Sequence, residues 1–234
     1  MQNVNFLLVA DTTTTSIKEN WKEIWNNPFK KQRLIIGTIV WLGVILLLPL
    51  FFSFIEKRKG VVLNDWVLAH IPAYNMSVLI FAIIWGMILL ILIRAINNPS
   101  IYINYCWTFI FICIARIITI SLVPLAPPNG FINLSDPLTG VFYGNLVITK
   151  DLFFSGHTST LMLIFLCLER KTDKILALIA VFAVAILLLV QHVHYTIDIL
   201  AAPIIVYSLY RVTIHFLYKK SKKKQEVLVS KVSA

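Results

Sequence analysis

The sequence predicts an all-α, polytopic membrane protein, a bundle of six transmembrane helices. Three observations carry this. Of 234 residues, 59% are hydrophobic and only 14% are charged, too little polar surface for a soluble domain of that length. Six apolar runs each approach the roughly 20 residues that a bilayer core demands. Lysine and arginine gather at the ends of these runs, where the positive-inside rule puts them. The net charge of +10 therefore belongs to membrane topology, and nucleic acid is not an expected partner.

Residues 1–33 form a polar N-terminal segment. Met1–Ala10 carry no basic region, so no cleaved signal peptide is expected and the first span directs insertion. Thr12–Thr15 make a small low-complexity patch. From Ser16 to Arg33, Lys18, Trp21, Lys22, Ile24, Trp25 and Phe29 predict an amphipathic helix on the membrane surface.

The catalytic domain is expected over 34–218, with spans at Leu34–Ile55, Ser77–Ile93, Tyr102–Val123, Leu152–Leu168, Ile175–Val190 and Tyr195–Leu217. One continuous helix from Ile175 to Leu217 would be about 65 Å long, roughly twice the core thickness, so the chain must turn near Gln191. Val61–Pro72 predicts a short interfacial helix with Asp65 and Trp66 at headgroup depth. Pro124–Lys150 is rich in Pro, Gly and Asn and carries Phe131, Phe142 and Tyr143, which predicts a loop folded over the outer side. His70 and His215 read as interfacial residues. Cys106, Cys113 and Cys167 lie inside apolar runs without metal-ligand spacing and read as buried thiols. Residues 219–234 form a basic tail whose Lys219–Lys224 cluster suits anionic lipid.

Charge counting sets the orientation. With the N-terminus inside, the inner segments hold Lys18, Lys22, Lys30, Lys31, Arg33, Arg94, Arg170, Lys171, Lys174 and the tail cluster. The outer segments hold Lys57, Arg58, Lys59 and Lys150. Both termini are thus expected in the cytoplasm, and the lack of long extensions fits a bacterial-style inner membrane.

Two polar islands interrupt the apolar pattern: Asp151–Thr158 and Gln191–Asp198. Ionisable residues beside hydrocarbon are costly and usually functional. His194 and Asp198 are four residues apart and would share a helix face, the carboxylate fixing the imidazole tautomer. His192 would point away from His194 as an interfacial or supporting residue. The proposed topology brings Arg116, His157, His194 and Asp198 to one depth near the outer surface.

That set fits phosphoryl transfer through histidine. His194 would attack phosphorus while Asp198 orients it. His157 would protonate the leaving alkoxide and later deprotonate the acceptor. Arg116 and Lys150 would hold the non-bridging oxygens. Ser155 and Gly156 open a helix whose free amides favour an anion. No carboxylate or His/Cys cluster points to a metal, so metal-free catalysis without a cofactor is expected. A proton-relay transporter is the competing class, but the inner halves of spans three, four and six are almost wholly apolar, and a relay needs polar residues across the bilayer.

Ser155-Gly156-His157-Thr158 and His194-Tyr195-Thr196-Ile197-Asp198 resemble the two signature motifs of the sphingomyelin synthase branch of the type 2 phosphatidic acid phosphatase (PAP2) superfamily. Asp151 sits where that branch has an Asp, and Arg116-Ile117-Ile118-Thr119 with Pro124-Leu125-Ala126-Pro127 is similar to its Arg-x-x-Thr…Leu-Pro-x-Pro segment. The likeness runs from about Trp107 to Tyr210. It implies a six-helix bundle of PAP2/sphingomyelin synthase type, with His157, His194 and Asp198 as catalytic triad and Asp151, Tyr195, Thr119 and His192 as possible support.

The sequence also departs from the pattern. The Lys-x6-Arg-Pro motif of ordinary lipid phosphatases is absent, and Leu188 stands where those enzymes carry Arg. Thr149-Lys150 replaces the Cys-Gly before the Asp, and Leu63-Asn64-Asp65 only echoes the early Pro-rich segment. The partners implied are a phospholipid or lipid-phosphate substrate and a lipid alcohol acceptor. Water in place of that alcohol would make a phosphatase.

Overall fold

The computed structural model describes residues 21–134 and 148–232, and only the backbone of 220–232. The expectations for 1–20 and for Phe142 and Tyr143 lie outside the described residues.

Helix α1 (Trp21–Asn26) is short, because Asn27 ends it and caps α2 (Pro28–Glu56). The Asn27 carboxamide accepts from the amides of Phe29 (3.1 Å) and Lys30 (3.3 Å), and Pro28 supplies the preset first turn. The expected surface helix is therefore cut in two, and its second half is already the first membrane helix. Asn98 repeats the device: it terminates α3 (Ser77–Asn97) and caps α4 (Pro99–Leu122) through Ser100 at 3.1 Å. Next come α5 (Gly156–Cys167), α6 (Lys171–Val190) and α7 (Thr196–Val232).

Among the described residues, α2, α3, α4, α6 and the first part of α7 are long and apolar enough to cross a membrane. The all-helical, multi-span architecture expected from sequence is found. The fourth expected span differs. Its helix begins at Gly156, not Leu152, and its 12 residues rise only about 18 Å. The carbonyls of Phe153 and Phe154 accept bonds from α4 instead of continuing a helix.

That short helix is the hub. α5 packs against α3, α4, α6 and α7, and Leu161, Leu163 and Ile164 are wholly buried. Around them Ile80, Ile112, Val184 and Val206 complete the main core. The outside is also apolar: Leu46, Leu50, Phe54, Val78 and Leu122 are all exposed. No water-soluble surface carries so continuous an apolar belt. Only 11% of the most apolar window of α2 is buried, so its remaining faces meet lipid. The chain is an integral membrane protein.

The two ends of the bundle differ. At one end Arg94 of α3 pairs bidentately with Asp173 of α6 (2.6 and 3.1 Å), and Asn98 bonds Glu169 (2.9 Å). The Trp21 indole donates to Ile96 O (2.7 Å), and Arg33 donates to Leu217 O. The opposite end gathers the 57–76 loop, the 123–134 loop and both polar islands. The interfacial helix expected over Val61–Pro72 is reduced to one 3-10 turn, Leu68–His70. Upstream of it, Val61 pairs with the backbone around Leu125 as an isolated bridge.

Candidate active site

His157 is the second residue of α5. Ser155 caps this helix, its hydroxyl accepting from Thr158 N (3.4 Å) and its carbonyl from Ser159 Oγ (2.6 Å). Just upstream, Thr119 Oγ1 donates to Phe153 O (2.9 Å) and Arg116 Nε to Phe154 O (3.1 Å). Arg116 and Thr119 are one turn apart on α4, so a single helix face grips two successive carbonyls. Arg116 also pairs with Asp151. Gly156 leaves room for this arrangement, since a Cβ there would meet the guanidinium carbon at 2.7 Å and push the Arg116 head aside. The Arg116 cation thus lies directly against the amide-rich start of α5.

The second island is a tight turn. α6 ends at Val190, and His192 takes a left-handed φ of 54°. His194 precedes α7 and is not on it, which corrects the shared-face expectation. The pairing with Asp198 forms because the first turn of α7 curls back: Asp198 Oδ2 accepts from Tyr195 N (3.1 Å) and stands 3.5 Å from His194 Nδ1. Both side chains are buried. At 3.5 Å the pair is longer than a hydrogen bond, and catalytic bonds commonly tighten when substrate binds.

The two islands meet. Ser155 N donates to Asp198 O at 3.1 Å, and the rings of His157 and His194 lie 6.3 Å apart between centroids, inclined at 64°. Phe81 of α3 packs its ring against His157 at 5.9 Å.

Lys150 is placed elsewhere. Its ammonium donates to the carbonyls of Glu56 and Arg58, both at 2.6 Å, tying the segment that leads into Asp151–Thr158 to the end of α2. It is not gathered with the histidines, contrary to its expected phosphate-binding role. Tyr195 is buried, and its hydroxyl bridges Leu63 N (3.0 Å) and Ala126 O (2.9 Å). His192 is buried and not helical, and its ring nitrogens lie 2.8 Å from Asn129 O and 2.9 Å from Ile71 O, which fixes the ring between two loops. Gly130, at φ 76°, lets the 128–131 turn approach that ring.

Two residues were missed in the sequence. Gln191 is wholly buried: its Oε1 accepts from Met76 N (2.8 Å), and its Nε2 reaches Ser77 Oγ (2.9 Å) and Asn133 O (3.1 Å). Asp65 accepts from Thr196 N (2.6 Å) and Thr196 Oγ1 (3.0 Å). In the sequence Asp65 reads as a headgroup-level residue beside Trp66 and as part of a faint echo, Leu63-Asn64-Asp65, and neither signal points to Thr196.

Among the described residues no three His, Cys, Asp or Glu side chains gather as a metal site. No curated protein matches the chain. The family model described as PAP2 superfamily C-terminal matches residues 150–216, the segment that carries Asp151, His157, His194 and Asp198. Over those 67 of the 234 residues the chain is similar to the C-terminal part of the PAP2 superfamily.

Proposed function

We propose that the protein is a lipid phosphotransferase that carries a phosphorylated headgroup between lipids on His194. The spacing of the two imidazoles supports this reading above all. Two imidazoles from separate islands meet edge to face, so one phosphoryl group seated beside the pair lies within reach of both. The ring centroids stand 6.3 Å apart.

The residues then divide the work. Asp198 faces His194 Nδ1, so Nε2 carries the lone pair that forms the N–P bond. As that bond forms, the P–O bond to the departing lipid alkoxide breaks, and His157 supplies its proton. In the second half His157 takes the proton of the acceptor hydroxyl, whose oxygen attacks phosphorus and releases His194. Arg116, held beside Gly156, adds positive charge to the free amides at the start of α5, where non-bridging oxygens would lie. No step calls on a metal or cofactor. The basic end of the bundle faces the cytoplasm in this reading, and the histidine end opens to the outer leaflet.

The resemblance to the sphingomyelin synthase branch supports a ceramide-like acceptor. The match to the PAP2 model favours a second reading, a lipid phosphate phosphatase in which water replaces the alcohol. The test is to incubate purified protein with headgroup-labelled phospholipid, with and without ceramide. Label appearing on ceramide supports the transferase. Free phosphate from a phosphatidic acid substrate, with no lipid product, supports the phosphatase. Loss of turnover with a chelator would contradict the metal-free scheme.

A further inference from the structure

We propose that Asp65 is a positioning residue for His194, a role that rests on reading His194 as the nucleophile. Thr196 opens α7, so its amide belongs to the donors that a helix leaves unsatisfied. Asp65, from the loop between α2 and α3, takes that amide at 2.6 Å and the Thr196 hydroxyl at 3.0 Å. Its carboxylate is itself fixed by the amides of Val67 (3.0 Å) and Leu68 (3.2 Å). Next to Thr196, Tyr195 is held by Leu63 and Ala126. Thr196 lies two residues from His194 and two from Asp198. Any drift at Thr196 therefore moves both members of the imidazole–carboxylate pair.

The charge also differentiates two helix starts. Asp65 and Asp198 place two carboxylates at the first turn of α7, which complements its dipole and repels a second anion. The start of α5 instead meets Arg116, whose charge is shared with Asp151.

The experiment uses the full chain in lipid nanodiscs, with a soluble short-chain lipid phosphate as substrate. Asp65→Ala is expected to lower kcat by about 100-fold, the scale of loss from an ångström of misplacement, with KM changed less than about threefold. Thr196→Val is expected to fall in the same direction, Thr196→Ser to restore kcat, and Asp65→Ala with Thr196→Val to be no worse than Asp65→Ala alone, as residues acting through one contact behave. In 15N-histidine spectra the His194 ring signals should move in Asp65→Ala and Asp65→Asn. They should stay in place in Asp173→Asn, which weakens the opposite end of the bundle.

Wild-type kcat in Asp65→Ala and Asp65→Asn, or strictly additive losses with Thr196→Val, would overturn the proposal. Unmoved His194 signals would do the same. A wild type without phosphoryl transfer whose His194 signals still move in Asp65→Asn would sink the catalytic reading and leave the positioning role standing.

Discussion

The amide of Ser155 donates to the carbonyl oxygen of Asp198 at 3.1 Å, and this bond joins the start of α5 to the first turn of α7. One residue beyond Ser155 the chain reaches Gly156 and then His157. On the other side, Asp198 faces His194. His157 at the start of α5 and His194 just before α7 are therefore held by helix starts that are bonded to each other.

If the two histidines have separate duties, their losses differ in kind. His194→Ala should abolish turnover and acid-labile phosphoenzyme together. His157→Ala should cost about 1,000-fold in turnover, a typical general acid–base contribution, while acid quench still finds some phosphate on His194. Phosphate trapped on His157 in the wild type would exchange the roles.

Gly156→Ala should be costly although it adds one carbon, because that carbon collides with Arg116. Either the guanidinium leaves Phe154 O or the α5 start shifts. We expect at least a tenfold drop in kcat/KM, or about 1.4 kcal/mol of transition-state stabilisation. Steady-state kinetics check it, and an unaffected variant would show that Arg116 has room to retreat.

Acid should loosen the 61–68 loop through Asp65. Burial pushes this carboxyl up, but the Thr196 amide, the Leu68 amide, the Thr196 hydroxyl and the Val67 amide outweigh it and hold it below its ordinary 3.8. A lowered folded value means the contribution is full above the unfolded value and is lost as pH falls through the folded one. Wild-type Tm should therefore fall more steeply than that of Asp65→Asn below about pH 4, while at pH 7 the variant melts lower. Parallel Tm curves between the two proteins would refute this.

Asp173→Asn tests the far end. Removing the charge from Asp173 leaves Arg94 without its bidentate ionic partner, which lowers stability modestly because the guanidinium still reaches water. Thermal unfolding should register this, while kcat stays within twofold because the pair lies at the end away from the histidines.

Much of the fold was legible because apolar runs and flanking charges are local signals, and the helix ends at Asn27 and Asn98 follow ordinary capping chemistry. The meeting of His157, His194 and Asp198 was legible because polar residues in hydrocarbon stand out. What sequence could not show was pairing across long separations. Asp65 meets Thr196, and Gln191 meets Met76, only after folding. Leu152, Phe153 and Phe154 looked helical since their hydrophobicity is that of a span, but donors on α4 claim the carbonyls of Phe153 and Phe154. Lys150 looked like a phosphate ligand by charge alone, whereas the carbonyls ending α2 already hold it.

The 12-residue α5 leaves about 12 Å of a 30 Å hydrocarbon layer uncovered on its own axis. No residue of this helix is exposed, so its longer neighbours screen it from lipid, and the non-helical 148–155 segment makes up the length it lacks. The polar start of the helix is thereby held inside a ring of protein, and a substrate must enter between the surrounding spans to reach the imidazoles.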